Sequence, residues 1–351
     1  MHQGADPART HGRPVPVPGV RRLGDDHRPD PDCRRGDALT ESGKPAFVAV
    51  DWGTSHLRVW ALSSSGDVQG ERKSGEGMAS TPRDRFADIL ERHLEALSVP
   101  AAVPVVMCGM VGSRQGWAEA GYIPVPAPLQ AIAENAVRIP GIRRDVRILP
   151  GFSKTDTRSP DVMRGEETQL LGLSRLSTLD NGVSRVICMP GTHSKWVQMN
   201  GDKVATFVTF MTGDLFSVAA QHSVLRHMTG SEPIDPASPV FRDAVAASLR
   251  SPTDISARLF SIRSAGLLLD LSPAEARARL SGYLIGQEIA GALTRFSLSG
   301  EIDLVGGGVL GGLYREALAV AGVGCRIHDG DALAIAGLRE AASVLWKQEP
   351  V

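Results

Sequence analysis

The 351-residue chain is 42% hydrophobic, which is long enough and apolar enough to supply two cores. Its formal net charge of −1 gives no reason to expect nucleic acid or an anionic membrane as a partner, and no apolar run approaches the roughly 18–20 residues that span a bilayer. Four scattered cysteines, Cys33, Cys108, Cys188 and Cys325, lack any CxxC spacing; they argue against a metal cluster and for a reducing cytoplasm.

The first forty or so residues are rich in Pro, Arg, Asp and Gly and carry no sustained apolar period, so 1–44 is expected to be a disordered extension or the product of an upstream start codon. An apolar h-region is missing, which excludes a secretory signal, and Asp25, Asp26, Asp30, Asp32 and Asp37 disfavour a transit peptide. From Pro45 the pattern predicts strands at 46–51, 56–62 and 67–73, a helix at 83–97 and a strand at 103–108 that ends in a glycine-rich turn, Gly109 to Trp117. Three prolines between Tyr122 and Pro128 predict no regular element there. A short helix at 129–137, a strand at 146–149 and a helix at 164–176 follow.

The second half repeats this order, with strands at 184–189, 194–199 and 203–209 and a helix at 215–227. A mostly helical insertion at 236–299 comes next, and its last helix carries Gly282 and Gly286 at a spacing that lets another backbone approach. A strand at 302–305 opens into Gly306 to Gly312, and a helix, a strand at 325–328 and a closing helix from 331 complete the chain. The order βββαβα, twice, predicts two α/β domains related by duplication, 45–182 and 183–351, with a cleft between them.

Each half opens on the same device. Asp51-Trp52-Gly53-Thr54 and Met189-Pro190-Gly191-Thr192 each close an apolar run and lead into a second strand. Glycine lets backbone N–H groups face a phosphate, and threonine adds a hydroxyl donor, so two such turns facing each other suit a polyphosphate. Asp51 is placed to direct a magnesium ion, which takes one or two carboxylates beside phosphates and water. One turn alone reads as an ordinary hairpin; the duplication favours phosphoryl transfer from ATP. His193 and Lys195, beside the second turn, can neutralise phosphate charge or form a polar strand face.

Two rival nucleotide motifs fare worse. Gly43-Lys44 is followed by Pro45 where a phosphate-loop lysine needs Ser or Thr. Gly306-x-Gly308-x-x-Gly311, with Asp329 beyond, has the spacing of a dinucleotide site, but only one strand–helix unit follows it. Gly306, Gly307 and Gly308 suit an adenosine better.

A hydroxyl nucleophile needs a carboxylate to accept its proton. Glu166, after Gly165 at a helix start, is the first candidate and Asp214 the second; the plain alternatives are helix-dipole partners and an N-cap. An acidic sugar needs a guanidinium, for which Arg114, with Gln115 and Trp117 in the same turn, and Arg164 are candidates, Trp117 and Tyr122 forming an apolar wall.

Several of these strings resemble a known family. Asp51-Trp52-Gly53-Thr54 with Arg58 resembles the first phosphate motif of the acetate and sugar kinase, Hsc70 and actin superfamily. The stretches Gly109 to Trp117, Arg164 to Gly172, Pro190 to Trp196 and Phe210 to Phe216 resemble the 2-dehydro-3-deoxygalactonokinase family, and the likeness spans 46–345. The resemblance implies two ribonuclease H-like (actin-like ATPase) domains and ATP-dependent phosphorylation of 2-dehydro-3-deoxy-D-galactonate at its 6-hydroxyl. It also raises Glu166 above Asp214, because Gly165-Glu166 takes the place of the base-bearing Gly-Asp of related sugar kinases. One departure is Met189, where the wider superfamily has an acid in the second phosphate motif, and this leaves Asp51 as the main candidate for Mg²⁺. A kinase for the gluconate epimer, a non-catalytic sugar sensor and an actin-like assembly protein are the other classes. A homodimer stays open.

Overall fold

The computed structural model describes residues 44–176, 184–298 and 300–346, which fall within one compact unit. The expected extension (Lys44 apart), Cys33 and the expected domain boundary at 182–183 lie outside these residues.

The first half runs β1 (Phe47–Trp52), β2 (Leu57–Leu62), β3 (Val68–Ser74), α1 (Phe86–Ala96), β4 (Val105–Cys108), β5 (Tyr122–Pro124), β6 (Ala127–Pro128), α2 (Ala131–Glu134), β7 (Val137–Arg138), β8 (Val146–Ile148), β9 (Gly151–Lys154), β10 (Asp161–Met163) and α3 (Glu166–Leu176). The second half runs β11 (Ser184–Met189), β12 (Ser194–Asn200), β13 (Lys203–Phe210), α4 (Thr212–His222), α5 (Pro239–Arg250), α6 (Ile255–Leu268), α7 (Pro273–Leu293), β14 (Ile302–Val305), α8 (Gly308–Val320), β15 (Cys325–His328) and α9 (Gly330–Trp346).

The duplication is explicit in the sheets. One has the order β3-β2-β1-β4-β8-β7 and the other β13-β12-β11-β14-β15 with β6 added beyond β13. In both, the first three strands form an antiparallel meander, and the fourth and fifth lie parallel to the first. Alternate residues of a strand face opposite sides. Val48 and Val50 of β1 meet Phe86, Leu90 and Leu94 of α1 on one face of the first sheet. Phe47 and Ala49 face the other way, into a core shared with Leu170 and Leu173 of α3, Leu333 and Leu338 of α9, and Ile187 and Val197 of the second sheet. The far face of the second sheet packs on α5, α7 and α8. Burial on both faces explains why β1 and β11 read as unbroken apolar runs.

Glycines set the helix approaches. A Cβ on Gly337 of α9 would lie 1.9 Å from the Thr168 carbonyl oxygen of α3, so these two helices cross almost backbone to backbone between the sheets. The expectation for Gly282 and Gly286 holds: a Cβ at either would meet the α5 backbone, at Phe241 O or Val245 O, within 2.7 Å.

Three local expectations need correction. The proline-rich stretch holds two short strands, β5 and β6, tolerated because Pro124 and Pro128 stand at strand ends where a missing N–H removes little pairing. The helix expected at 215–227 begins at Thr212 and ends at His222, where Ser223 turns extended and its hydroxyl accepts from Leu225 N–H at 3.0 Å. The helix expected at 129–137 shrinks to the single turn of α2, because Val137 leaves it for β7 beside β8, and strands β9 and β10 stand where none was expected. The two sheets also exchange elements: β6 pairs with Lys203 and Val204 of β13, and Asp161 of β10 accepts from both the N–H and the hydroxyl of Thr209 at 2.7 Å.

Candidate active site

At the first turn, Gly53 N–H donates to His56 O at 2.9 Å, which closes the hairpin and leaves Thr54 exposed. Asp51, at the end of β1, pairs with Arg58 across the hairpin at 2.9 Å. Burial pushes the Asp51 carboxyl above its usual range against the pull of Arg58, and the negative charges of Asp331 and Glu166 push the same way. Arg58 and Lys73 also hold Asp331, in the first turn of α9, at 3.5 Å and 3.2 Å.

Glu166 is brought against this turn by two glycines. Gly109 (φ +92°) follows β4 and Gly165 (φ +107°) precedes α3; a Cβ on Gly165 would lie 3.5 Å from the Gly109 Cα, and one on Gly109 would lie 3.1 Å from Asp51 Oδ1. Both conformations belong to glycine. Glu166 Oε2 accepts from Arg164 N–H at 3.1 Å, and Oε1 lies 3.2 Å from Lys195 Nζ. Behind it, Glu167 is fully buried, and both its oxygens accept from Gly165 N–H at 2.8 Å. Burial, with the Glu166 charge added, pushes Glu167 up to about 8.

The second turn is equally exposed at Thr192 and His193. Lys195 is buried, and its ammonium donates to His193 O at 3.0 Å. Asp214 N–H donates to Thr192 O at 3.0 Å, and the Asp214 carboxylate lies 3.8 Å from His193 Nε2. Asp214 stands in the first turn of α4, whose N-cap is Met211. Gly191, Thr212 and Gly213 continue into a cavity of about 410 Å³ walled by Phe216, Leu284, Leu310 and Tyr314, within the usual range of about 300–1,000 Å³ for small-molecule sites. Gly306, Gly307 and Gly308 form the turn that leads to its Val309 and Leu310. Arg277, another wall residue, covers the Phe216 ring at 4.9 Å.

The residues expected to grip a sugar acid are not drawn together in this way. Arg114 and Gln115 are exposed, with Arg114 Nε 3.9 Å from Glu119. Trp117, half-buried, stacks on Phe86 at 6.0 Å on the face of the first sheet opposite α3, where the turn at Gly116 folds back on Val111. Arg164 lies 4.3 Å over the Tyr122 ring and donates to Ala120 O and Gly121 O, while its Nε and Nη1 are buried with no partner among the described residues.

Asp331, Lys73 and Glu167 escaped the sequence reading. Asp331 lies 258 residues from Lys73, and nothing local marks the contact. Glu167 carried a usable signal in hindsight, since an acid between Glu166 and the apolar face of α3 falls on the helix's buried side.

Two sheets of one strand order, each opening on a Gly-Thr turn, with a cavity beside the second turn, make a duplicated α/β protein with a site of small-molecule size. The comparisons narrow the class. The profile of the family described as 2-keto-3-deoxy-galactonokinase matches residues 51–341, and the chain belongs to that family. A protein of Rhizobium meliloti (strain 1021) named probable 2-dehydro-3-deoxygalactonokinase is 49% identical over 304 residues, covering 86% of this chain and 97% of the relative. The 2-dehydro-3-deoxygalactonokinase of Escherichia coli (strain K12) is 32% identical over 300 residues, covering 84% and 97%. A Sinorhizobium meliloti crystal structure described as a protein of the same kinase type superposes with a TM-score of 0.82 at 48% identity, covering 86% of this chain and 99% of that one.

Proposed function

We propose that this protein transfers the γ-phosphoryl group of ATP to the 6-hydroxyl of 2-dehydro-3-deoxy-D-galactonate, giving ADP and the 6-phosphate, a step in galactonate breakdown. Membership of the family supports the reaction. One structural observation supports the assignment of roles: Glu166 reaches Lys195, beside the second Gly-Thr turn, at 3.2 Å, and its charge bears on Asp51, beside the first.

In this reading the segment 45–182 is the sugar-acid domain and 183–351 the nucleotide domain. The adenosine occupies the cavity behind Gly191, and the phosphates lie across Gly53-Thr54 and Gly191-Thr192, with His193 and Lys195 offsetting their charge. As the hydroxyl oxygen bonds to the γ-phosphorus, its proton passes to the Glu166 carboxylate. The bond from that phosphorus to the bridging oxygen breaks, and its electron pair leaves with ADP. Asp214, held at the second turn on the nucleotide side, is the second candidate for the proton. Arg114 and Arg164 are the candidates for the substrate carboxylate, and Arg114 has the freer guanidinium.

The residues fit a magnesium ion held mostly by phosphate and water. Asp51 Oδ2 is committed to Arg58, while Oδ1 meets the Cys108 thiol at 3.9 Å beside the Cβ-less Gly109. One carboxylate oxygen suffices for such an ion, which when bound neutralises phosphate charge. Replacing Glu166 by Gln tests the central role: kcat should fall about 10²–10⁴-fold with the fold intact. Near-normal turnover would transfer the role to Asp214 or remove it.

A further inference from the structure

We infer that Lys195 is a positioning residue that holds the Glu166 carboxylate and ties it to the second Gly-Thr turn, so that nucleotide phosphate and base share one cation. This rests on the reading of Glu166 as the base. Lys195 starts on β12, in the second sheet, yet its ammonium reaches Glu166 at the head of α3. The residue is only 5% exposed, and a buried ammonium persists only when paired.

Its three N–H donors are unevenly used. One goes to His193 O in the turn itself at 3.0 Å, and the ammonium pairs with Glu166 Oε1 at 3.2 Å. A third remains to point at a phosphate oxygen. The anchor on His193 O fixes the ammonium to the very turn where phosphate would lie. A phosphate oxygen on that third donor shares the ammonium with Glu166 Oε1, which loosens that pair without breaking it. Glu166 Oε2 stays on the Arg164 N–H, so the carboxylate keeps its place while Oε1 turns to the sugar hydroxyl. Without nucleotide the ammonium holds Glu166 alone; with nucleotide it holds base and phosphate together.

A double-mutant cycle on the full chain reads this coupling. ADP formation would be followed for the parent, Lys195→Met, Glu166→Gln and the double variant, with KM taken separately for ATP and for the sugar acid. Lys195→Met should lower kcat about tenfold or more in the parent, and by less than about threefold once Glu166 is Gln, because coupled residues lose their effect together. Full, multiplicative losses, with the Lys195→Met effect confined to KM for ATP, would make the lysine a phosphate ligand only and overturn the inference while leaving the base reading intact. Near-normal kcat in Glu166→Gln would remove the base reading and the inference with it. Should Lys195→Met fail to fold, calorimetric titration of Glu166→Gln with a non-hydrolysable ATP analogue decides. Freed from its competing anion, Lys195 should bind the analogue several-fold more tightly than in the parent, and unchanged or weaker binding would overturn the sharing of one cation.

Discussion

Replacing Glu167 by Gln isolates the energetic consequence of the buried acid behind the site. Glu167 is fully buried, with its ordinary value of 4.5 pushed up to about 8 by burial first and by the charge of Glu166 second. Between those two values the folded chain holds a proton that the unfolded chain has released, so stability falls as pH rises through the window. Below about 4.5 both states are protonated and nothing is lost; above about 8 both are ionised and the loss is complete. The interval is about 3.5 pH units, and at about 1.4 kcal/mol for each it sets a ceiling near 5 kcal/mol, comparable with the whole stability of a small domain. Gln keeps a carbonyl for Gly165 N–H and never ionises. Urea unfolding of both proteins from pH 5 to 8.5 should therefore give nearly equal stabilities at the acid end. The variant should gain on the parent by up to a few kcal/mol towards pH 8.5, with equal m-values. A difference that stays flat with pH, or one that turns against the variant at high pH, would refute the account of Glu167 as a desolvated acid.

Asp51→Asn should raise the magnesium concentration for half-maximal turnover about tenfold, followed by ADP release across a magnesium titration; an unchanged response would remove its metal role. Leu310→Asp places a carboxylate in the apolar wall of the 410 Å³ cavity at a half-exposed position the fold tolerates. It should raise KM for ATP about tenfold or more and leave KM for the sugar acid unchanged. Equal effects on both substrates would move the nucleoside elsewhere.

Where the fold was legible, the signal was local. Both Gly-Thr hairpins, both meanders and the glycine pair at 282 and 286 could be read because apolar runs and turn residues are properties of short segments. Strands β5 and β6 were not legible, since two or three residues beside prolines gain their order from partners elsewhere, β6 from β13 across the chain. The packing of α3 on α9 between the sheets was hidden for the same reason: Gly172 and Gly337 stand far apart in sequence, and each alone reads as a weak point in a helix. The candidate site divides along this line. Asp51 and Glu166 stand out by motif, and their neighbours Asp331 and Glu167 become visible only when distant segments meet. The stacking of Trp117 on Phe86 was likewise hidden, because it joins a glycine turn to a helix some thirty residues earlier.

The account is tested most directly by ADP release from ATP and magnesium in the presence of 2-dehydro-3-deoxygalactonate, its gluconate epimer or galactonate. Strong turnover on 2-dehydro-3-deoxygalactonate, with little on galactonate, is the predicted result, and equal turnover on both 2-dehydro-3-deoxy acids would mean that the site does not read the epimeric hydroxyl. No turnover on any of the three, from folded protein that still binds ATP, would contradict the reaction assigned to this chain.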